Sequence, residues 1–403
     1  MIRKETSEGV GYSIVELGQV RHVFASAVPR GGGNFEQQTH DALRTIANVI
    51  DLEGTRGSIV HQAVFLRDIE QTDACRAIIE QFYGSELPAT SYIPQPPCNN
   101  KLISIEALGV GRKFDGVEIR RLSDRMVVTS HDGVEWVHLA NVVPRTATAT
   151  VYSQALDVFE QLAAGLDEHG YCFDQVIRTW LYLGDIVGPE GDTQRYKELN
   201  RARTDFFQNR RFGANLLPEG WRNRAYPAST GIGSDGRGFM ASCIALATTR
   251  SDIKLIPLEN PEQVSAFDYG RHYSPESPKF ARAMVVAGNE TATTLISGTA
   301  SITESETRHK DDVSAQTGQT LDNIETLIGH DNFDKHGLPG LGATLHDLAL
   351  VRVYIKRRDD YLQTRAVCEQ RLGDVPVVYA VADVCRPDLL VEIEGIAFSQ
   401  RAG

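Results

Sequence analysis

Glu392 and Glu394 stand two positions apart in the closing run Leu390-Val-Glu-Ile-Glu-Gly-Ile-Ala-Phe398. The run reads as a strand, preceded by another from Pro376 and a short turn at Arg386-Pro387-Asp388. Period-2 alternation puts both carboxylates on one face, with Val391, Ile393 and Gly395 on the other. An acidic pair inside an apolar strand is costly unless it is paired or used. Either the pair meets a solvated or salt-bridged face, or one carboxyl handles a proton.

Other chemistries find less support. The six cysteines, Cys75, Cys98, Cys172, Cys243, Cys368 and Cys385, form no C-x-x-C pair, so neither a disulfide framework nor a zinc site is expected. Ser305-Glu-Thr-Arg-His309 with Asp311 and Asp312 fits no metal-ligand spacing. A net charge of -12 without a basic block argues against nucleic acid, and an anionic substrate would need a local cluster of Arg, Lys or Tyr. No secretory h-region and no apolar run of about twenty residues stands out, so a reduced cytoplasmic compartment is the expectation.

The elements that must position Glu392 recur three times. Each third begins with a strand: His22-Val-Phe-Ala-Ser-Ala-Val28, Trp136-Val-His-Leu-Ala-Asn-Val142 or Thr294-Leu-Ile-Ser-Gly-Thr-Ala300. An amphipathic helix follows over 35–50, 152–168 or 312–329, then a strand over 59–68, 176–185 or 350–359. A second helix occupies 71–83, 193–207 or 360–372, and a strand pair closes each unit. The pattern predicts an α+β unit with helices on one sheet face, and a pseudo-threefold assembly burying the free faces together. Units are expected over 1–112, 113–258 and 259–403, and the loops 187–193, 209–238 and 331–344 as the rim of the functional face. Aligning the closing strands sets Glu392 against Ser104 and Ser242, and Glu394 against Glu106. One copy in three therefore carries a carboxylate at the first position.

This unit resembles the YjgF/RidA superfamily (a chorismate-mutase-like fold), whose small trimers bind carboxylates in clefts between subunits. The resemblance implies three such units in one chain, an intrachain pseudo-trimer. The segments Arg178-Thr-Trp180 with Tyr182, Pro227-Ala-Ser-Thr-Gly-Ile-Gly233, Phe280-Ala-Arg-Ala283, Leu321-Asp-Asn-Ile324 and Asp388-Leu-Leu-Val-Glu-Ile-Glu-Gly395 resemble more specifically the chorismatase family. That similarity covers roughly residues 130–403, while the first third is only superfamily-like. The simpler deaminase members carry an Arg in a Pro-Ala-Arg motif fifteen residues before the Glu. Here that position is Val377, and the other copies read Pro88-Ala-Thr90 and Pro227-Ala-Ser229, which weakens an imine-hydrolysing role.

The resemblance implies a chorismate lyase without cofactor or metal, in which Glu392 protonates the enolpyruvyl group and pyruvate leaves. Such an acid needs a pKa raised by apolar or acidic surroundings, which Glu394 and the flanking residues could provide. Members making 3-hydroxybenzoate have Gly and Cys where this chain has Gly298 and Cys385, whereas hydrolytic members have Ala at both. Without the family, Cys385 reads equally as a small buried hydrophobe. For the dianionic substrate, Tyr269 and Arg282 match family positions, and Arg203 comes from the second helix of the middle unit. Tyr226, Arg308 and His309 are further candidates, though a lone Arg is by default a solvated one. Rival readings are hydrolysis to a dihydroxycyclohexadiene acid, another hydroxybenzoate isomer, and a non-catalytic ligand-binding protein. The first unit completes the pseudo-trimer or adds a second ligand cleft, with Glu106 and Arg67 near in sequence. A monomer with internal pseudo-symmetry and a small homo-oligomer are both open.

Overall fold

The structure, a computed structural model, describes residues 2–401 apart from 19, 55–58, 113–115, 214, 222–223 and 271–275. In the first unit the order is β1 (Ile2–Ser7), β2 (Val10–Leu17), β3 (Val20–Ala27), α1 (Phe35–Leu52), β4 (Ile59–Leu66), α2 (Thr72–Tyr83), β5 (Ala89–Ile93) and β6 (Ile103–Arg112). The second runs β7 (Glu118–Arg121), β8 (Met126–His131), β9 (Val134–Val142), α3 (Val151–Asp167) and β10 (Val176–Gly184). A small hairpin, β11 (Pro189–Glu190) and β12 (Thr193–Gln194), precedes α4 (Arg195–Phe207), β13 (Ala228–Ser234) and β14 (Phe239–Thr248). The third opens with β15 (Lys254–Leu258), β16 (Ala283–Ala287), β17 (Thr291–Ala300) and a hairpin of β18 (Ile302–Thr303) and β19 (Glu306–Thr307). It continues with α5 (Val313–Ile328), α6 (His330–Lys335), β20 (Leu348–Ile355), α7 (Tyr361–Leu372), β21 (Val377–Val381) and β22 (Val391–Gln400).

Three six-stranded sheets share one order: β1-β2-β3-β6-β4-β5, β7-β8-β9-β14-β10-β13 and β15-β16-β17-β22-β20-β21. The three-unit α+β expectation holds. The first helix of each unit also starts the same way, with a side-chain cap from Asn34, Thr150 or Asp312 to a backbone N–H three residues on. Such a cap stabilises its helix by about 1 kcal/mol. The second helices of the outer units stop at Gly84 and Gly373, whose φ of 55° and 60° suits glycine.

Two expectations about connectivity change. The closing strands are not paired with each other: β21 runs parallel to β20, and β20 lies between β21 and β22. A parallel neighbour needs a crossover, supplied by α7, so the Arg386–Asp388 turn carries the chain past a strand rather than closing a hairpin. Residues 254–258, expected in the second unit, form an edge strand of the third sheet, where Ile256 and Leu258 enter its core. An edge strand tolerates Pro257. The other boundary, expected at 112/113 in the Gly111–Gly116 cluster, abuts residues 113–115, which lie outside the described residues.

Each helical layer covers one sheet face with its own core; in the third unit Val391, Ile393 and Ala397 of β22 point into that layer. The opposite faces meet at the pseudo-threefold axis in a shared core that includes Phe65, Trp180, Ile244, Leu295 and Tyr354. Glu392 and Glu394 face this interior, only 5% and 3% exposed, which disposes of the solvated-face reading.

Candidate functional site

The alternation of β22 aims its two carboxyls at different neighbours. Glu394 is held by ionic partners from the second unit and from the neighbouring strand β20 of its own sheet. Arg178 Nη2 donates to its Oε2 at 2.7 Å, Trp180 Nε1 to Oε1 at 2.8 Å and Tyr354 OH to Oε1 at 3.1 Å; Thr230 Oγ1 also donates. Arg352 Nη1 stands 3.1 Å from Oε1, and its Nε and Nη2 grip both oxygens of Glu106 at 2.5 and 2.7 Å. Tyr182 OH accepts from Arg352 at 3.0 Å. Burial alone would raise Glu394. The Arg178 and Arg352 guanidiniums, with hydrogen bonds from Thr230 and Trp180, outweigh it and keep that carboxylate below its ordinary range.

The two carboxylates and two guanidiniums of this group cancel, leaving no spare cation for Glu392. Glu392 has no ion-pair partner among the described residues. Burial first, and then the Glu394 charge, push its carboxyl up to about 8, against weaker opposition from Arg178 and Arg282. At neutral pH it is therefore a buried carboxylic acid, able to give a proton.

Glu392 opens into a cleft of about 830 Å³ between the second and third units. Beside it, the register of β17 on β22 shifts between Ile296 and Thr299, and Gly298 sits in that irregularity. A β-carbon at Gly298 would overlap the Glu392 carboxylate and lie 3.1 Å from Thr230 Cγ2. The glycine thus makes room for the acid itself. The same segment latches the units: Gly298 N donates to Thr230 Oγ1 at 2.9 Å, and Ser229 N to Ser297 Oγ at 2.8 Å.

Cys385 reaches the cleft from the segment after β21. Burial, then the Glu392 charge, push its thiol up to about 12, so it is a neutral S–H and not a thiolate. Arg282 and Tyr269 line the cleft together; Arg282 Nη2 donates to Tyr269 OH at 2.6 Å and to Val264 O at 3.2 Å. Among the described residues the buried Arg282 Nε has no hydrogen-bond partner, an unused donor beside the cleft. Arg203 is fully buried behind the cleft wall. Its Nη2 donates to Asn200 Oδ1 at 2.6 Å and its guanidinium lies 5.7 Å from the Phe280 ring, both lining residues.

Three candidates fall outside. Tyr226 joins an aromatic cluster with Phe207, Phe212 and Phe267 and lines a different cavity. Arg308 and His309 are exposed and do not line the cleft. Arg308 N donates to Ser301 O at 2.9 Å, and His309 then takes a φ of 55°; their neighbours Thr307 and Lys310 reach the rim instead. Of the expected rim loops, 187–193 lines the cleft, whereas Leu338, Leu341 and Ala343 of 331–344 pack into the third unit's core. Sequence reasoning did not single out Tyr196 and Asn200 on α4 or Arg386 in the turn. The first two, with Arg203, form an i, i+4, i+7 polar stripe on a buried helix, a signal available in advance.

The two equivalent clefts differ. Between the second and first units, Ser242 Oγ lies 2.8 Å from Ser91 Oγ and accepts from Asn141 N at 3.0 Å, a closed seam. Between the third and first, a cleft of about 620 Å³ remains, with Ser104 where the cleft between the second and third units has Glu392. Its neighbour Glu106 turns to the axis, while Arg67 donates to Asn100 O at 3.2 Å on the surface. By sheet register Ser229, opposite Thr179, matches Tyr379, opposite Val353, whereas Thr90, opposite Gln62, matches Val377, opposite Val351, as counted along the sequence. Arginine is absent from all three either way. Among the described residues no group of three or more His, Cys, Asp or Glu could hold a metal ion, and no helix is long and apolar enough to cross a membrane.

Residues 116–247 match the family described as chorismatase FkbO/Hyg5-like, N-terminal. The chain is 34% identical over 278 residues to a 3-hydroxybenzoate synthase of Streptomyces hygroscopicus, covering 67% of this chain and 76% of that protein. It is 32% identical over 282 residues to a chorismatase of Streptomyces rapamycinicus, covering 66% and 78% respectively. A chorismatase crystal structure superposes with a TM-score of 0.65 at 24% identity, over 86% of this chain and 95% of that one, a likeness of fold. With the repeated architecture and the cleft around Glu392, these similarities place the chain: it belongs to the chorismatase family.

Proposed function

We propose that this chain converts chorismate to 3-hydroxybenzoate and pyruvate. The observation that carries the reading is Glu392, a buried acid held protonated near neutral pH in a cleft that also presents Arg282 and Tyr269. Glu392 delivers its proton to the terminal methylene of the enolpyruvyl ether, giving an oxocarbenium ion. The ring 4-hydroxyl oxygen bonds to C3 as the C3–O bond to the side chain breaks, and pyruvate departs. The hydroxyl proton returns to the Glu392 carboxylate, and the resulting arene oxide opens to the phenol with loss of the C–O bond at C4. No water enters, so the atoms of chorismate are divided between the two products. Arg282, with its free Nε donor, takes a substrate carboxylate. Gly298 and Cys385 support the 3-hydroxybenzoate outcome over hydrolysis, since the glycine keeps the acid close and the thiol stays a neutral donor.

The test is incubation of the purified protein with chorismate in H₂¹⁸O, with chromatography of the products and a coupled pyruvate assay. Pyruvate with unlabelled 3-hydroxybenzoate is expected. A dihydroxycyclohexadiene acid would establish hydrolysis, a different isomer another ring-opening course, and absence of pyruvate release a binding protein.

A further inference from the structure

Tyr226 leads to a second cavity, of about 700 Å³, between the end of α4 and the segment entering β13. Its walls are aromatic. Phe207 and Phe212 have ring centroids 4.8 Å apart, Tyr226 lies 6.4 Å from each, and Trp221 completes the lining. Arg210, Arg211, Arg224 and Lys279 also line it, against one carboxylate, Glu219. Among the described lining residues the balance is four cations to one anion, +3 in a chain whose total is -12. Arg210 is partly engaged, 3.9 Å from Asp174 and 4.7 Å from the Phe206 ring centroid. Burial first, and then the Arg203 and Arg224 charges, keep the Lys279 ammonium below its ordinary range, with Glu276 opposing.

Among the described residues two buried donors here have no partner: Trp221 Nε1–H and the Thr204 hydroxyl. Buried polar groups are satisfied in the great majority of cases, so an unsatisfied pair beside excess cations implies an acceptor from outside. A phosphate would answer the charge and leave the aromatic walls unused. A planar ring bearing a carboxylate answers both, stacking on the walls while its oxygens meet the guanidiniums. This cavity shares no lining residue with the cleft at Glu392, and the buried Arg203, which contacts the cleft residues Asn200 and Phe280, lines neither. We propose that this cavity is a second binding site, for a small aromatic carboxylate. The assignment rests on the lining and is independent of which product the cleft releases.

Trp221 is one of three tryptophans and reports on the site directly. The full-length protein would be titrated with benzoate, cyclohexanecarboxylate and inorganic phosphate while tryptophan fluorescence is followed. Benzoate is expected to give a saturable change that disappears in Trp221→Phe. Replacing the exposed Arg211 and Arg224 together by alanine should weaken benzoate by roughly tenfold or more, the loss of one charge-assisted hydrogen bond, with an unchanged thermal midpoint. Cyclohexanecarboxylate is expected to bind several-fold more weakly. The proposal is overturned by a benzoate signal that does not saturate, by phosphate binding as tightly as benzoate, or by an affinity indifferent to the double substitution.

Discussion

Replacing Glu394 by glutamine removes one negative charge from a buried group whose charges otherwise cancel. Glu106 and Glu394 contribute two negative charges, Arg178 and Arg352 two positive, so the variant group carries +1. Glu392, next along the same strand face, then becomes the nearest counter-charge, and its carboxyl pKa falls from about 8. A carboxyl at about 8 is roughly nine-tenths protonated at pH 7, whereas one at its ordinary value is protonated in about 0.3% of molecules. The loss of protonated Glu392 at pH 7 therefore has a ceiling of about 300-fold, and at pH 5 of only about fourfold. The assay is pyruvate release as kcat/KM across pH 5 to 9, with circular dichroism to confirm folding, because breaking a buried ion pair costs about 3–5 kcal/mol of stability. The descending limb should move to lower pH and activity should recover on acidification. A limb that stays in place while the rate drops evenly at every pH would refute the electrostatic reasoning and leave Glu394 a purely structural residue.

Three further outcomes follow from the same geometry. Glu392→Gln should lower pyruvate release by about 10²–10⁴ and also change the pH dependence of stability. The folded-state pKa of Glu392 is raised, so its favourable contribution is complete below its unfolded value and is lost as pH rises through about 8. Chemical denaturation should accordingly show the glutamine variant gaining on the wild type between pH 5 and 9, by at most about 5 kcal/mol; a constant difference would contradict the shift. Gly298→Ala, which drives a β-carbon into the Glu392 carboxylate, should cut kcat by about 10² and enrich the dihydroxy acid among the products, and unchanged turnover would remove the glycine from the argument. Cys385→Ala should shift the product ratio the same way yet leave the pH–rate profile between pH 6 and 9 unaltered, since the thiol titrates far above that window.

The elements with internal periodicity were readable in the sequence. The first helix of each unit was placed to within two residues at either end, because its apolar stripe and cap residue are local. The leading strands of the first two sheets were missed: Ile2–Ser7 and Glu118–Arg121 are short, edge-lying and mostly charged or polar, without alternation to mark them. Glu392 was legible as the one carboxylate at its repeat position. Its environment was not, since Arg178 and Arg352 find their carboxylates 216 and 246 residues away along the chain. Tyr226 and Arg308 show the converse limit. Residue type made them plausible anion contacts, but the aromatic cluster takes the first and an exposed turn the second, and neither direction is written in local spacing.

The axial ion group also has a clock. Arg178 and Glu394 are 216 residues apart, so at a synthesis rate of about 5–20 residues per second the arginine waits roughly 10–40 s for its partner to leave the ribosome. Trp180 waits as long for the same carboxylate. The first two units can bury their helical cores during that interval, but the middle sheet must keep a guanidinium solvated at a face destined for the interior. The strand that carries Glu392 and Glu394 follows every other described strand along the chain and completes the axial ion group. A ribosome-stalled or truncated chain lacking Val391–Gln400 loses Glu392 together with the counter-charge of Arg178.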